Sequence, residues 1–171
     1  MENTAKHKVL AKELAELYQS AVQDELGMVA KIDDDRVVLF KYPELGTMFF
    51  TIDATGDPEY LMLVFPNFAN KEALNLTREQ LLIAINEVNT RNKAVKLCIR
   101  ADTINDSCEV LATIECFVGA PDTAPTSELV RAVIKRNVSA LRAGVRSLVK
   151  AAQDIAPEAV LPDALPGQET I

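Results

Sequence analysis

Cys98 is the residue whose sequence surroundings come closest to those of a catalytic nucleophile. It lies between Lys96 and Arg100, which fall on the same face of a predicted strand. Positive charge favours the thiolate, the reactive form of cysteine, but nucleophilic catalysis also requires a neighbouring base. The single histidine, His7, is far away in the sequence and is expected at the surface of a first helix. The sequence around Cys98 therefore supplies the charge but not the base.

Patterns that bind metals or phosphates are incomplete in this sequence. Asp33–Asp35 brings carboxylates together, yet a calcium loop needs alternating ligands, a glycine and a distal glutamate. The six glycines form neither a dinucleotide-binding fingerprint nor a P-loop. The three cysteines lack Cys-x-x-Cys spacing, and their odd number argues against a disulfide framework. We therefore expect no catalytic residues, no cofactor and no metal ion, with reduced thiols at Cys98, Cys108 and Cys116.

Composition and charge narrow the class of protein further. A hydrophobic fraction of 49% with 25% charged residues is typical of a globular protein. The net charge of −7 disfavours nucleic acid or an anionic membrane surface as the main partner. No apolar run approaches the roughly 20 residues that span a bilayer. The first residues, MENTAKHKVLAKELAEL, do not resemble a signal peptide, so we expect a cytoplasmic protein without membrane association.

The elements that would position these residues are arranged around Leu76–Asn92 in the middle of the sequence. Thr77 is expected to cap this helix in a capping box with Gln80. Helical spacing predicts one buried stripe that consists of Leu81, Leu82, Ile85 and Val88. Ile83 falls opposite the stripe, where it is either a single exposed residue or part of a second buried face.

Segments on both sides of this helix alternate in polarity as strands do. Three precede it, over 37–42, 47–53 and 60–65, and two follow it, over 94–101 and 107–118. Short connections predict that the strands run antiparallel. Residues 28–32 are either a short strand or an extended lead-in.

Two flanking helices complete the predicted fold. They cover residues 4–26 and 127–152, and the second has a predicted apolar side with Leu129, Val133, Ala140 and Leu141. The order α-β-β-β-α-β-β-α predicts an α+β fold, with a five-stranded antiparallel sheet and helices packed on one face. We expect a single domain over residues 1–153 and a mobile, proline-containing tail over 154–171.

The predicted sheet carries more apolar residues than one buried face requires. Val37 and Leu39 lie with other apolar residues on the second face, and strands buried on both faces have this pattern. A helix or the tail of the same chain could cover this surplus, and so could a second copy or a bound peptide. The expected partner or dimer interface consists of Phe49, Met62, Val64 and Ile83.

The last predicted helix is strongly basic. It contains six lysine and arginine residues and a single acid, Glu128. Four of the basic residues fall within about 60° of one another around the helix. They form a basic ridge of Arg131, Lys135, Arg142 and Arg146. The ridge is either a solvated face that the chain's own acids neutralise, or a surface for an acidic partner segment.

Three stretches resemble the YbjN-like family: VVLFKYPELGTMFFTID…YLMLVFPNF, LTREQLLIAINEVN, and KAVKLCIRAD…CEVLATIECFV. The resemblance covers residues 4–152 and rests on the order of elements, their lengths and the acidity of the chain. The YbjN-like family shares the architecture of class I type III secretion chaperones. The resemblance implies a non-catalytic cytoplasmic protein, often a homodimer, that binds another protein. Some relatives are described as regulators of sensory transduction, and the family has no catalytic residues to carry over.

The residues and the resemblance together predict a homodimeric protein-binding module, either chaperone-like or a regulatory adaptor. It would recruit an extended partner segment through apolar grooves and a free strand edge. The alternative is a small enzyme or small-molecule sensor with a site beneath the sheet, which a deep polar pocket would favour. Nucleic-acid contact through the last helix is disfavoured by the net acidity.

Overall fold

The computed structural model of this protein describes residues 2–43, 45–102 and 107–157. The side chain of His7 and the segment after residue 157, most of the predicted tail, lie outside the described residues. Along the described chain the elements are α1 (Glu2–Leu26), β1 (Ala30–Ile32), β2 (Val38–Tyr42), β3 (Gly46–Thr51), β4 (Tyr60–Asn70), α2 (Arg78–Arg91), β5 (Val95–Asp102), β6 (Ser107–Phe117) and α3 (Ser127–Ile155).

The strands form an antiparallel sheet, which confirms the predicted α+β class. The described chain has six strands in the order β1-β2-β3-β4-β6-β5, so the predicted number of five is wrong. The additional strand is β1, in the segment whose type the sequence leaves open. Its three residues pair antiparallel with β2, with Ala30 opposite Phe40 and Ile32 opposite Val38. A strand this short is fixed by its partner rather than by its own pattern of residues.

Strand β4 continues past Pro66, where the sequence predicts that it ends. The interruption is local: Asn67 has a φ of 44°, in the left-handed region that asparagine tolerates better than most residues. Beyond it Phe68 is buried and stacks on Phe65, with ring centroids 5.2 Å apart. The strand therefore accommodates a proline by a local distortion, as strands with bulges do.

The described chain divides into two compact units. Unit 1 comprises Met1–Tyr42, Thr47–Val64 and Ile114–Val138. Its core contains a row of stacked rings. The ring of Tyr18 in α1 stacks on that of Phe50 in β3, with centroids 5.0 Å apart, and Phe50 stacks on Phe40 of β2, with centroids 5.8 Å apart. We call this side of the sheet the inner face. Its buried residues are Ala30, Val38, Phe40, Met48, Phe50, Leu61, Leu63 and Ile114.

Unit 2 comprises Pro43–Gly46, Phe65–Thr113 and Ser139–Ile171. The predicted capping box of α2 is confirmed, because the Gln80 amide donates to the Thr77 hydroxyl at 3.2 Å and the Thr77 amide donates to the Gln80 side chain at 2.8 Å. The predicted stripe is wrong at Leu82, which is 49% exposed, while Ala84 is fully buried. The observed buried face consists of Leu81, Ala84, Ile85 and Val88.

Helix α3 is turned by about one residue relative to its predicted apolar side. Leu129 is 39% exposed, so its predicted place on the apolar side is wrong. The buried residues recur at intervals of three and four, as one helical stripe requires. In unit 1 they are Val130, Ile134 and Val138, and in unit 2 they are Leu141, Val145, Leu148, Ala151 and Ala152.

Candidate functional site

The second face of the unit 1 sheet contains three of the four predicted interface residues. The antiparallel register places Phe49 opposite Val64 and Thr51 opposite Met62. Phe50 and Leu63, the intervening pair, point to the inner face and are fully buried. We call the opposite side the outer face, which consists of Phe49, Thr51, Tyr60, Met62, Val64, Glu115 and Phe117.

The outer face is less completely buried than the inner one. Phe49 and Met62 are half-buried, whereas Val64 is only 6% exposed and therefore contributes little free area. Part of Phe49 and part of Met62 are therefore in contact with solvent.

Two aromatic residues extend the apolar surface of the outer face. The Tyr60 ring meets the Phe117 ring edge-on at 5.4 Å, and 67% of Phe117 is exposed. The Tyr60 hydroxyl donates to the Glu115 carboxylate at 2.8 Å. Desolvation, followed by this hydrogen bond and the charge of Glu115, raises the pKa of Tyr60 to about 12. Tyr60 therefore remains a neutral donor, and its hydrogen bond to Glu115 fixes the orientation of its ring beside Phe117.

The sequence does not predict that Tyr60 and Phe117 belong to one surface. They lie on β4 and β6, which are neighbours in the sheet but are separated in sequence by α2 and β5. A turn fixes the register of a hairpin, but no turn joins these two strands. The available signal is the alternation itself, which places Tyr60 with Met62 on β4 and Phe117 with Glu115 on β6.

The fourth predicted interface residue, Ile83, lies on α2 in unit 2. It is 59% exposed in the single chain. Leu82 beside it is 49% exposed, so the two form a small exposed apolar pair.

Arg131, the first residue of the predicted basic ridge, is paired with acids of its own chain. Its guanidinium contacts the Asp24 carboxylate, donates to the Ser20 hydroxyl at 3.0 Å and lies 3.6 Å from Glu25. The hydrogen bond and the charge of Arg131 hold the pKa of Asp24 below its ordinary value. Of the other ridge residues, Arg142 is half-buried, and the exposed ones are Lys135 and Arg146.

The three cysteines differ in burial. Cys98 and Cys116 are half-buried, Cys108 is buried, and all three are free thiols. Burial raises the pKa of Cys116, which disfavours its thiolate, although the Asn137 amide donates to its sulfur at 3.9 Å. No group of three or more metal-ligating side chains is present within the described residues.

One hollow in unit 2 is open to solvent and lined mostly by polar residues. It has a volume of about 680 Å³ and is lined by the end of the β4–α2 connection and the first turn of α2. Lys71 in its wall lies 3.7 Å from the Glu72 carboxylate. It is therefore a surface depression between charged side chains rather than a deep pocket beneath the sheet.

None of the described helices combines the length and apolarity that a membrane crossing requires.

The architecture is similar to that of two solved structures. E. coli YbjN, described as a candidate transcription regulator, superimposes with a TM-score of 0.53 at 12% identity, over 82% of this chain and 91% of that one. The chain has a YbjN-like fold. An uncharacterized protein from Methanothermobacter thermautotrophicus has a TM-score of 0.48 at 16% identity, over 88% of this chain and 99% of that one. No protein-family model and no curated protein matches the sequence. The family resemblance inferred from the sequence is thus confirmed at the level of the fold.

Proposed function

We propose that this protein is a non-catalytic protein-binding module, a chaperone-like or regulatory adaptor, which binds through the outer face of unit 1. The observation that carries the proposal is the aromatic pair of Tyr60 and Phe117, where Phe117 is 67% exposed beside the half-buried Phe49 and Met62. An apolar patch rimmed by polar groups such as Glu115 is typical of protein interaction sites. Exposed aromatic residues are also the residues that most often dominate the binding energy of an interface.

The first occupant of this face in our proposal is a second copy of the chain. A two-fold axis brings the same patch of both copies together, which is the commonest way in which soluble proteins close an apolar surface. The resulting homodimer would present one continuous surface to a further partner. YbjN is described as a candidate transcription regulator, and a regulatory role for this chain fits its similar fold. The net charge of −7 favours regulation through a protein rather than through DNA.

The basic ridge has a secondary part in this proposal. Lys135 and Arg146 are exposed on α3 and would attract an acidic partner segment. Arg131 contributes less, because Asp24 and Glu25 already neutralise much of its charge. The attraction would weaken as the salt concentration rises.

The experiment that tests the proposal measures mass in solution for three proteins: the wild type, Phe117→Ser and Leu129→Ser. Leu129→Ser is the matched control because it also removes an exposed apolar side chain, from α3. We expect the wild type to sediment at twice the chain mass of 18.7 kDa. Phe117→Ser should weaken the dimer at least tenfold, since loss of a central aromatic contact costs about 2 kcal/mol or more.

Circular dichroism establishes that both variants are folded before their masses are compared. Equal weakening by the two serine variants would mean that the outer face has no special role. A wild type that stays monomeric throughout the micromolar range would remove the homodimer from the proposal.

A further inference from the structure

Strand β5 lies at one end of the six-stranded sheet, beside β6. Both backbone groups of its residue Leu97 bond to a single side chain of α2. The Leu97 amide donates to Asn89 Oδ1 at 2.8 Å, and Asn89 Nδ2 donates to the Leu97 carbonyl at 3.0 Å. The carboxamide of Asn89 thus offers an acceptor and a donor side by side, as the backbone of a neighbouring strand does.

The direction of these bonds identifies the side of β5 that they occupy. In an antiparallel strand the amide and carbonyl of one residue point to the same side, and successive residues alternate between sides. Because the groups of Leu97 bond to α2, they point away from β6. The backbone groups of Val95 and Ile99 point to the same outer edge by this alternation. This edge of β5 is therefore already bonded at Leu97.

We infer that Asn89 closes the β5 edge against strand pairing with a second copy of this chain. An unpaired edge is a template for another strand, and an identical edge can pair with itself about a two-fold axis. At eight residues β5 is longer than most strands, so an open edge would offer several backbone bonds. A strand that pairs with this edge through Leu97 must first displace the Asn89 side chain from the amide and the carbonyl of that residue.

The opposite end strand shows the same chemistry on a smaller scale. Gln19 of α1 donates from Nε2 to the carbonyl of Ala30 in β1, at 2.9 Å. That strand has only three residues, and the Gln19 side chain bonds to one of its carbonyls. The longer edge is therefore the one that has the two-bond contact. The inference does not depend on the proposed function, since it concerns a different surface, in unit 2.

The experiment compares Asn89→Ala with Asn86→Ala, which removes the same type of side chain one turn earlier on α2. Both changes are made in the Phe117→Ser background, which weakens association through the outer face equally in the two variants, so that a difference between them reports on the β5 edge. We expect Asn89→Ala to speed hydrogen exchange at the Leu97 amide at least tenfold and to add a concentration-dependent association step. Asn86→Ala should change neither quantity.

Two further variants keep the result interpretable if Asn89→Ala folds poorly. Asn89→Asp retains the acceptor for the Leu97 amide and loses the donor, so we expect intermediate exchange at Leu97. Adding Ile99→Pro to Asn89→Ala removes an amide on the open edge, and we expect it to abolish the association. Unchanged exchange at Leu97 in the alanine variant, or association that persists with Ile99→Pro, would overturn the inference.

Discussion

Phe49 and Phe50 are adjacent in the sequence, yet they lie on opposite faces of the unit 1 sheet. Phe50 is fully buried in a row of stacked rings between Tyr18 and Phe40. Phe49 is half-buried opposite Val64 on the face that also carries the exposed Phe117. Both faces are apolar, so hydrophobicity alone does not distinguish core from surface. The helix that supplies Tyr18 makes the inner face the core, whereas the outer face keeps partly exposed apolar residues.

The strongest test of this comparison is a pair of alanine substitutions. Phe50→Ala should lower the free energy of unfolding by about 3–5 kcal/mol, because it opens a cavity in the core. Phe49→Ala should cost no more than about 1–2 kcal/mol, since only part of its ring is buried. Urea denaturation of both variants measures the difference. Equal losses would mean that the outer face is also core.

The same contrast can be measured on α2, where neighbouring leucines differ in burial. Leu81 is fully buried and Leu82 is 49% exposed. We expect Leu81→Ala to cost about 2–5 kcal/mol and Leu82→Ala to stay within about 0.5 kcal/mol of the wild type. Denaturation curves in which Leu82→Ala is the more damaging change would place the helix in a different orientation.

Gly144 of α3 gives a prediction about close packing in unit 2. A Cβ atom at this position would lie 2.6 Å from Cγ1 of the buried Val95. Alanine favours a helix by about 1 kcal/mol over glycine, but overpacking costs about 1–3 kcal/mol, so we expect a small net loss. Val95→Ala makes room for the added methyl group. The double variant should therefore have a higher melting temperature than the sum of the two single losses predicts. Simple additivity of the two changes would show that the helix and strand are not in tight contact here.

The smallest expected effect comes from the surface pair of Asp24 and Arg131. The pKa of folded Asp24 lies below its ordinary value of 3.8, mainly because of the hydrogen bond from Arg131. The pair therefore stabilises the fold fully above that value and loses its effect as the pH falls through the folded pKa. Asp24→Asn should lower the melting temperature slightly at neutral pH and low salt, and not in strong acid. Asp34→Asn, in an exposed turn, is the control; an equal shift in both variants would contradict the role of Arg131.

Local sequence signals predict the parts of the fold that depend on near neighbours. The capping box at Thr77 and the alternating strands are of this kind. Which side of α2 is buried depends instead on how the helix packs against the rest of the fold. Leucine is more hydrophobic than alanine, yet Ala84 is buried and Leu82 is exposed. Strand β1 and the passage of β4 through Pro66 likewise depend on neighbouring strands.

The candidate site also has one part that the local sequence predicts and another that depends on how distant strands pair. Alternation places Phe49, Met62 and Val64 on one face, because strands reverse side chains at every residue. It cannot bring Phe117 beside Tyr60, since the register of β4 and β6 is not set by a turn. The side-chain amides of Gln19 and Asn89 have no distinctive sequence pattern, because their partners are backbone groups of strands.

The central claim, that the outer face binds a second copy, is tested most directly by the methyl signals of Met62 and Met48. Met62 lies on the outer face, whereas Met48 is fully buried on the inner face. The protein has four methionines, so methyl-labelled methionine gives a simple spectrum that can be followed during dilution through the micromolar range. We expect the Met62 signal to move with dilution and the Met48 signal to stay in place. A Met62 signal that does not change while the measured mass falls from dimer to monomer would contradict the claim.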